Sequence, residues 1–553
     1  MGSNLRQSMN WLHTWAGVVI GALLFVIFWM GTLSVFDREI DRWMMPATRL
    51  APTALQQPFS YDAAARSAQP LVQGSPQWFV RPPTERVPAA ELRWRNEATK
   101  TFERRYLHPQ TGAVLAHTDT LAGTGFIFPF HFNLHIKWKD VGYWLVGVAG
   151  MAMLLLVVSG VVIHRKIFVD FFLFRPKKHL QRASLDLHNL TGVLSLPFHF
   201  MMALSGLVIF MNIYLPSAVY GPYAQEAKPK EAFFAEAYGS YKRAKADTPA
   251  ATPPASLDAM AATARREWNG SEPSFLRVWH PGDANSYVEL RRSYEDAVTM
   301  NVDTLALDAS TGAVLNRHVT APVMGAQRFI SGLHFIQFRH WTLRWLYFAA
   351  GLAGCIMIAT GFLFWLEARR ASHAKKGLAG VRVVEALSVA SMPGIMAATM
   401  AFFIANRLLP LDAAWASWDR AALEMWAFYL VWLVMLAHAA WRAWPQDTRR
   451  TSMAWREQTW AVAALAALAV ALNWATTGHH LAHTLGQGIT SVAGMDILLL
   501  ALATGAALTA RHLGRRAAQK DAALTNKKTA SRDVRHAPGP SALPASGEPL
   551  GHA

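Results

Sequence analysis

The sequence of 553 residues has a single cysteine, Cys355, which lies within an apolar segment. One cysteine excludes an intrachain disulfide, a thiolate zinc cluster and covalent attachment of a c-type haem, so Cys355 is expected to be a buried packing residue. Charged residues are also scarce, at 16% of the chain against 52% hydrophobic residues. This balance is atypical of a soluble globular protein.

The sequence contains several long apolar segments with few charged residues. Each is close to the ~20 residues that an α-helix needs to cross a ~30 Å hydrocarbon core. The first segment is too long for a signal peptide and continues into Asp37-Arg38-Glu39, so it is interpreted as a retained anchor. The sequence predicts eight transmembrane helices in a lipid bilayer, at about 12–36, 141–163, 190–215, 345–366, 385–408, 421–441, 457–475 and 491–511.

The net charge of +17 does not predict nucleic-acid binding, because the basic residues stand in short loops beside the apolar segments. Lysine and arginine in such loops mark the cytoplasmic side of a membrane protein. They are concentrated between spans two and three, four and five, and six and seven, and after span eight. All four regions fall on one side, so both termini are predicted to be cytoplasmic.

Two long polar segments, about 37–130 and 216–330, then lie outside the cell membrane. Alternating stretches such as Tyr287–Leu290 and Leu305–Asp308 are typical of half-buried strands. The sequence therefore predicts an all-α polytopic membrane protein that carries two α+β extracytoplasmic domains. Residues 513–553 are rich in Ala, Pro, Gly, Ser and charge and are predicted to be a disordered cytoplasmic tail.

An internal repeat divides the chain into two halves, and it carries histidines. Leu12–Gly17 returns in altered form as Leu187–Gly192, and Thr111–Leu115 returns unchanged as Thr311–Leu315. Eighteen residues after His13 and after His188 stands a glycine, Gly31 and Gly206 respectively. Asn133-Leu134-His135 corresponds to Gly332-Leu333-His334.

The repeat sorts four histidines into two matched pairs. His13 and His188 are placed at the cytoplasmic face, and His135 and His334 at the outer face. Two facing imidazoles are the axial ligands of a six-coordinate haem iron, and helical bundles supply such ligands from facing helices. The sequence therefore predicts two b-type haems with His13, His188, His135 and His334 as iron ligands.

Other histidines remain as alternatives. His131 is the main rival of His135, His340 is a rival of His334, and His164 is disfavoured because its counterpart is Trp365. His199 has no partner in the first half, and it is interpreted as a ligand, as a relay between haems, or as a hydrogen-bond partner of a carbonyl freed by Pro197.

A histidine cluster lies between spans seven and eight. His479 and His483 have the i, i+4 spacing that suits a metal on one helix face, and a polar loop is the alternative. His438 is predicted to be a packed, hydrogen-bonded residue within span six.

Three motifs together resemble the PepSY-associated transmembrane family. They are Leu-His-x-x-x-Gly at the start of a span, Ser/Thr-Gly near the end of later spans (Ser159-Gly160, Ser205-Gly206, Thr360-Gly361), and the turn from Asp308 to Leu315. The resemblance covers about residues 8 to 370. The first turn departs from the pattern, since His108 stands where the second has Asp308.

The resemblance implies a domain organisation with two PepSY-like domains. The chain divides into the first helix (1–36), the first PepSY-like domain (37–130), helices two and three with a basic loop (131–215), the second PepSY-like domain (216–330), helix four (331–370), an additional four-helix region (371–512) and the tail (513–553).

Members of the family are bacterial inner-membrane proteins, and some are dihaem siderophore reductases. The resemblance therefore implies a location in a bacterial inner membrane and reduction of a ferric siderophore or other ferric chelate on its outer side. The chain lacks a Gly-x-Gly-x-x-Gly nucleotide motif, so the electron donor is expected to be a separate cytoplasmic protein or a quinol. Arginines of the outer segments (Arg81, Arg93, Arg95, Arg104, Arg105, Arg277, Arg291 and Arg292) would favour an anionic chelate. Two alternatives are a membrane-anchored PepSY protein that binds or regulates a protease, and a transporter for iron-related solutes.

Overall fold

The computed structural model describes residues 3–164, 175, 179–444 and 450–536. The predicted basic residues at 165–174, 176–178 and 445–449, and the last part of the predicted tail, lie outside this range. The helices are α1 (Ser3–Ser34), α2 (Asp37–Met44), α3 (Tyr61–Val72), α4 (Phe128–Asn133), α5 (Val141–Ile163), α6 (Leu180–Leu194), α7 (Leu196–Ile209), α8 (Met211–Tyr214), α9 (Pro216–Tyr220), α10 (Pro229–Tyr238), α11 (Leu257–Glu267), α12 (Pro322–Phe335), α13 (Trp341–Lys376), α14 (Gly380–Ser391), α15 (Pro393–Leu408), α16 (Arg420–Ala443), α17 (Ala454–Thr477), α18 (Leu481–Gly486) and α19 (Thr490–His536).

The described residues contain seven helical segments that are long and apolar enough to cross a membrane, and a bent pair makes an eighth candidate. The seven are Asn4–Ser34, Trp138–Ile163, Trp341–Lys376, Gly380–Leu408, Arg420–Ala443, Ala454–Thr477 and Thr490–Gln519. These segments confirm the prediction of a polytopic helical membrane protein. Helix α19 continues to His536, into the stretch for which the sequence predicts disorder.

The third predicted span is a bent pair of helices. Helices α6 and α7 meet at an angle of 65°. Pro197 lies in the first turn of α7. Its ring has no N–H to donate, and in a continuous helix it would clash with the carbonyl of Val193. The chain therefore ends one helix at Leu194 and begins the next after Ser195, which places His188 and His199 on two different axes.

The two polar segments join in one antiparallel sheet of seven strands. The strands are β1 (Gln77–Arg81), β2 (Ala90–Arg95), β3 (Phe102–Leu107), β4 (Pro273–Trp279), β5 (Tyr287–Arg292), β6 (Thr304–Asp308) and β7 (Val314–His318), in the spatial order β3-β2-β1-β4-β5-β6-β7. The predicted strands at Tyr287–Leu290 and Leu305–Asp308 are β5 and β6. The sequence predicts two separate outer domains, whereas the structure pairs β1 of the first segment with β4 of the second.

Helices α3 and α11 cover one face of this sheet and cap each other. Asp62 accepts hydrogen bonds from Ser256 Oγ (2.6 Å) and Leu257 N (2.7 Å) at the start of α11. Asp258 accepts the same two bonds from Ser60 Oγ and Tyr61 N, both at 2.6 Å, at the start of α3. Each aspartate thus pairs N–H groups that the start of the other helix would leave without a partner. The two contacts are equivalent, as expected for two related halves.

Helix α2 connects the first span to the additional four-helix region. Trp43 is fully buried, and its Nε1 donates to Asp496 Oδ1 of α19 at 2.7 Å. Arg407 of α15 donates to the carbonyl of Met44 at 2.7 Å. Because these polar groups are buried and paired, α15 and α19 are fixed to the side of the helix bundle that carries the sheet.

Candidate functional site: two histidine pairs

His13 and His188 meet at the end of the helix bundle remote from the sheet. His13 lies on α1 and His188 on α6, and their ring centroids are 6.2 Å apart with an interplanar angle of 87°. We call these two residues the far-side pair. The structure therefore brings together the two histidines that the repeat matched.

His131 and His334 meet beneath the sheet and form the sheet-side pair. His131 lies on α4 and His334 on α12, and their ring centroids are 6.0 Å apart with an interplanar angle of 30°. Burial, together with His131 beside it, lowers the pKa of His334 to about 3. Burial also lowers the pKa of His131. Both rings are therefore neutral at neutral pH, the form in which imidazole binds a metal.

Every one of the four rings is held in the same way by a neighbouring helix. In three of them Nδ1 is directed at a backbone carbonyl four residues before a glycine. The distances are 3.1 Å from His13 to Leu156 O, 2.9 Å from His131 to Ile27 O and 2.7 Å from His188 to Met357 O. In the fourth, His334 Nδ1 lies 2.9 Å from Ser205 Oγ, and the ring also contacts the carbonyl of Met202, four residues before Gly206.

These contacts settle which ring nitrogen carries the proton. A carbonyl oxygen can only accept, so Nδ1 must be the donor. The serines agree, since Ser159 and Ser205 donate their own hydroxyls to the carbonyls of Leu155 and Met201. Within the described part of the chain no protein group hydrogen-bonds the Nε2 atom of any of the four rings. A hydrogen bond at Nδ1 that leaves Nε2 free is the second-shell arrangement of a metal-binding histidine.

A glycine lies against each ring, and the room for a side chain at that glycine is smallest at Gly31. A Cβ at Gly31 would stand 2.6 Å from His131 Cε1, closer than any real contact allows. At Gly206 and Gly361 it would stand 3.2 Å from the Cε1 atoms of His334 and His188, and at Gly160 it would stand 3.4 Å from that of His13. The Ser/Thr-Gly motifs of the sequence thus border the histidines directly.

The spacing within each pair fits a metal between the rings. With metal–nitrogen bonds of about 2 Å and about 1 Å from each nitrogen to its ring centre, two imidazoles on one ion have centroids about 6 Å apart. The observed separations are 6.2 and 6.0 Å. Both pairs therefore have the donor atoms and the spacing for two axial ligands of one iron.

The sheet-side pair opens on an apolar cavity of about 150 Å³. Its walls combine aromatic rings with small residues of the spans, among them Phe128, Phe132, Phe198, Phe210, Gly147, Gly150 and Gly351. Flat apolar surroundings with small residues close to the backbone suit a macrocycle. The two pairs are far apart, since the eighteen residues from His13 to Gly31 of α1 rise about 27 Å.

His135 does not meet His334 in the structure. Its Nε2 lies 2.9 Å from Phe126 O, and its ring stacks on Phe126 with centroids 4.8 Å apart. Its backbone is left-handed, with φ of 55°, because α4 has already ended. The repeat could have been aligned on His-Phe, which matches His131-Phe132 with His334-Phe335, and this alignment identifies the histidine that the structure pairs.

His199 lies between the two pairs. It is 1% exposed, its Nε2 is 3.3 Å from Ala350 O, and its ring packs edge-on against Phe28. Its buried Nδ1 has no hydrogen-bond partner among the described residues. The carbonyl that it contacts belongs to α13 and not to the turn before Pro197.

The remaining histidines take separate places. His479 and His483 stack with centroids 4.9 Å apart, and His479 Nδ1 lies 3.3 Å from Arg49 Nη1. In the described ranges no three His, Cys, Asp or Glu side chains gather closely enough to hold a metal ion. His340 caps α13 through Leu343 N, and His438 contacts Glu457 at 3.1 Å. Cys355 is buried, as its apolar segment predicts.

Comparison with known proteins agrees with the motifs. A family model for the PepSY-associated TM region matches residues 10–368, which include both histidine pairs and the whole sheet. An uncharacterised protein of Pseudomonas aeruginosa is 30% identical over 315 residues, covering 53% of this chain and 76% of the relative. The chain is a multi-pass membrane protein that belongs to the PepSY-associated transmembrane family.

Proposed function

We propose that each histidine pair binds one b-type haem and that the protein is an inner-membrane reductase of ferric chelates. The observation that carries this proposal is the fourfold repetition of one arrangement. In all four cases Nδ1 is bound by a helix carbonyl or serine, a glycine lies against the ring, and Nε2 is free. Histidines with only a packing role would not need the same three features at all four positions.

The direction of the chain in the membrane follows from its loops. Arg369, Arg382 and Arg450 stand on the side of the far-side pair. By the positive-inside rule, this charge supports an orientation with both termini and the far-side pair at the cytoplasmic surface and the sheet in the periplasm. An electron from a separate cytoplasmic or quinol donor would enter at His13 and His188 and leave at His131 and His334.

The residues of the chain set how such a cofactor would be held. Haem iron supplies reversible one-electron transfer when it is bound. The carbonyls of Leu156, Ile27, Met202 and Met357 fix the ring tautomers, and the apolar spans exclude water from the ligands. With two histidines to hold it at each site, a bound haem would supply electron transfer rather than oxygen chemistry.

The family resemblance and the place of the sheet support the proposed substrate class. Oxygen donors of siderophores hold Fe(III) more tightly than Fe(II), because hard donors prefer the ion of higher charge. Transfer of one electron to a ferric siderophore therefore weakens its chelation and releases the iron. The sheet covers the side on which this transfer would occur.

Absorbance of the purified protein tests the proposal. Full-length protein in detergent is expected to show sharp α-bands on dithionite reduction and two haem b per chain in the pyridine haemochrome assay. The reduced protein is then expected to reoxidise on addition of a ferric siderophore. A folded sample from haem-sufficient cells that contains no haem would overturn the proposal and leave the protease-binding or transport function.

A further inference from the structure

The two faces of the sheet differ sharply in chemistry. Residues such as Val80, Leu92, Leu276 and Leu290 form an apolar core with α3 and α11. The register of the strands places a different set on the opposite face. It consists of Phe79, Arg81, Glu91, Arg93, Arg95, Phe102, Arg104, Tyr106, Phe275, Arg277, Trp279, Tyr287, Glu289 and Arg291, and we call it the arginine face.

The arginine face carries a surplus of positive charge. Across β1 to β5 it has six arginines and two glutamates. Glu91 pairs with Arg81 at 3.1 Å and with Arg93, and Glu289 lies 3.7 Å from Arg277. Glu289 also lies 4.0 Å from Arg291, so the two glutamates are shared among four arginines, and among the described residues Arg104 forms no ion pair within 4.0 Å. A surplus of this kind, concentrated on one side of a sheet, attracts a multiply charged anion.

Aromatic rings pack against the guanidinium groups at the centre of the arginine face. Arg277 lies over Phe79, Phe275 and Trp279 at 5.2, 5.1 and 5.3 Å from the ring centroids, and Arg291 lies over Phe275 at 5.3 Å. The buried Nε atoms of Arg277 and Arg291 have no hydrogen-bond partner in the described residues. A guanidinium group that stacks on rings keeps its N–H edges for oxyanions. The exposed ring of Phe102 on the same face offers stacking surface to a further ring.

The arginine face is turned toward the sheet-side pair. At one flank Arg104 donates to Thr120 O at 3.2 Å and lies near Asp41 of α2. At the other flank Arg291 lies near Arg328 of α12. Arg328 precedes His334 by six residues on that helix, a rise of about 9 Å. A ligand on this face would thus be held close to the exit of the proposed electron path.

We propose that the arginine face binds a multiply anionic ferric chelate whose donors are aromatic, that is, a catecholate. This inference rests on the proposed function and specifies its substrate class. A catecholate has oxyanions that can accept hydrogen bonds from the guanidinium edges. It also has flat rings that can stack on the arginines and aromatic side chains of this face. A neutral trihydroxamate lacks the charge, and a citrate lacks the rings.

Binding of a redox-inert analogue tests this inference without haem. Gallium(III) tris-catecholate is titrated calorimetrically into full-length protein in detergent, with the gallium complexes of a neutral trihydroxamate and of citrate as comparisons. The catecholate complex is expected to bind most tightly, with affinity that falls as salt rises. Arg93→Gln and Arg81→Gln are each expected to weaken binding about tenfold, the effect of one lost charge-assisted hydrogen bond.

Arg105→Gln is the matched control. Arg105 lies on β3 with its guanidinium over Trp94, a residue of the covered face, and its loss should leave affinity unchanged. Arg277→Lys keeps the charge but not the plane, so it should weaken the catecholate more than the citrate complex. Equal affinity for all three complexes, or unchanged affinity in Arg81→Gln and Arg93→Gln, would overturn the inference. If the protein binds the catecholate complex but contains no haem, the binding role of the arginine face is supported and the proposed reductase function is overturned.

Discussion

The two halves of the molecule agree at the histidines and differ elsewhere. His13 on α1 contacts α5 as His188 on α6 contacts α13, and His131 contacts α1 as His334 contacts α7. Yet α1 is continuous, whereas α6 and α7 are bent by 65°. The spans have diverged in shape while the surroundings of the four rings have stayed alike. The difference teaches that the rings, more than the helices, are the feature that the two halves share.

The largest expected effect separates His131 from its neighbour in sequence. His131→Ala removes a ring that faces His334 at 6.0 Å, so it should eliminate one of two haems. His135→Ala is the matched control and should retain both, because that ring packs on Phe126. The pyridine haemochrome count per chain measures the difference. Full haem content in His131→Ala and half in His135→Ala would reverse the assignment.

The glycines give a graded test of the same symmetry. The Cβ of Gly31→Ala would lie 2.6 Å from His131 Cε1, against 3.2 Å between Gly206→Ala and His334 Cε1. The first substitution must displace a ring, so it should lower haem content more than the second. Gly494→Ala, at a helical position with nothing within 4 Å, serves as the control and should have no effect. Equal haem loss at Gly31 and Gly494 would mean that the close approach has no role.

The reciprocal caps should contribute equally to stability. Asp62→Ala and Asp258→Ala each remove two hydrogen bonds at a helix start, so each should cost about 1–2 kcal/mol. Hydrogen exchange of the α3 and α11 amides in the full chain can measure both. Burial raises the pKa of Asp62, but hydrogen bonds from Ser256 and Leu257 outweigh it and lower the pKa overall. This contribution is therefore present at neutral pH and is lost as pH falls below about 4. Unequal costs would show that the two-fold relation does not extend to energetics.

The smallest expected effect concerns the turn in which the halves differ. Asp308 accepts from Ser310 N and Thr311 N at 3.0 Å and pairs with Arg243 at 2.8 Å. His108 accepts from the corresponding Gln110 N and Thr111 N, both at 3.3 Å. His108→Asp should therefore stabilise the protein by a few tenths of a kcal/mol, and Asp308→His should destabilise it by about 1 kcal/mol. Thermal unfolding in detergent compares the two, and a destabilised His108→Asp would contradict the equivalence.

The sequence predicts the parts of this fold that depend on local pattern. Apolar length identifies the spans, and alternation identifies β5 and β6. The joining of β1 to β4 could not be predicted, because pairing between distant edges leaves no local signal. The bend after Leu194 depends on Pro197. Because helices also tolerate proline in their first turn, the sequence alone could not predict that Pro197 would divide span three into two helices.

The candidate site shows the same limit. The repeat predicts the far-side pair, His13 and His188, because an alignment of Leu-His-x-x-x-Gly is unambiguous there. On the sheet side, two histidines four residues apart compete, and the end of α4 at Asn133 decides between them. That end determines that His131 stays on a helix while His135 turns to Phe126. A left-handed helix end cannot be located from one sequence with the accuracy that this choice requires.

The distance from His13 to Gly31 in α1 has a consequence for evolution of the chain. Eighteen residues are about five complete turns, so His13 and Gly31 point to the same side of one rod. Insertion or deletion of a single residue between them would turn one end by about 100° relative to the other. A single insertion or deletion would therefore turn either His13 away from His188 or Gly31 away from the ring of His131. The number of residues between His13 and Gly31 is thus fixed by the geometry of both histidine pairs, and this number also sets the thickness of membrane that the span can cross.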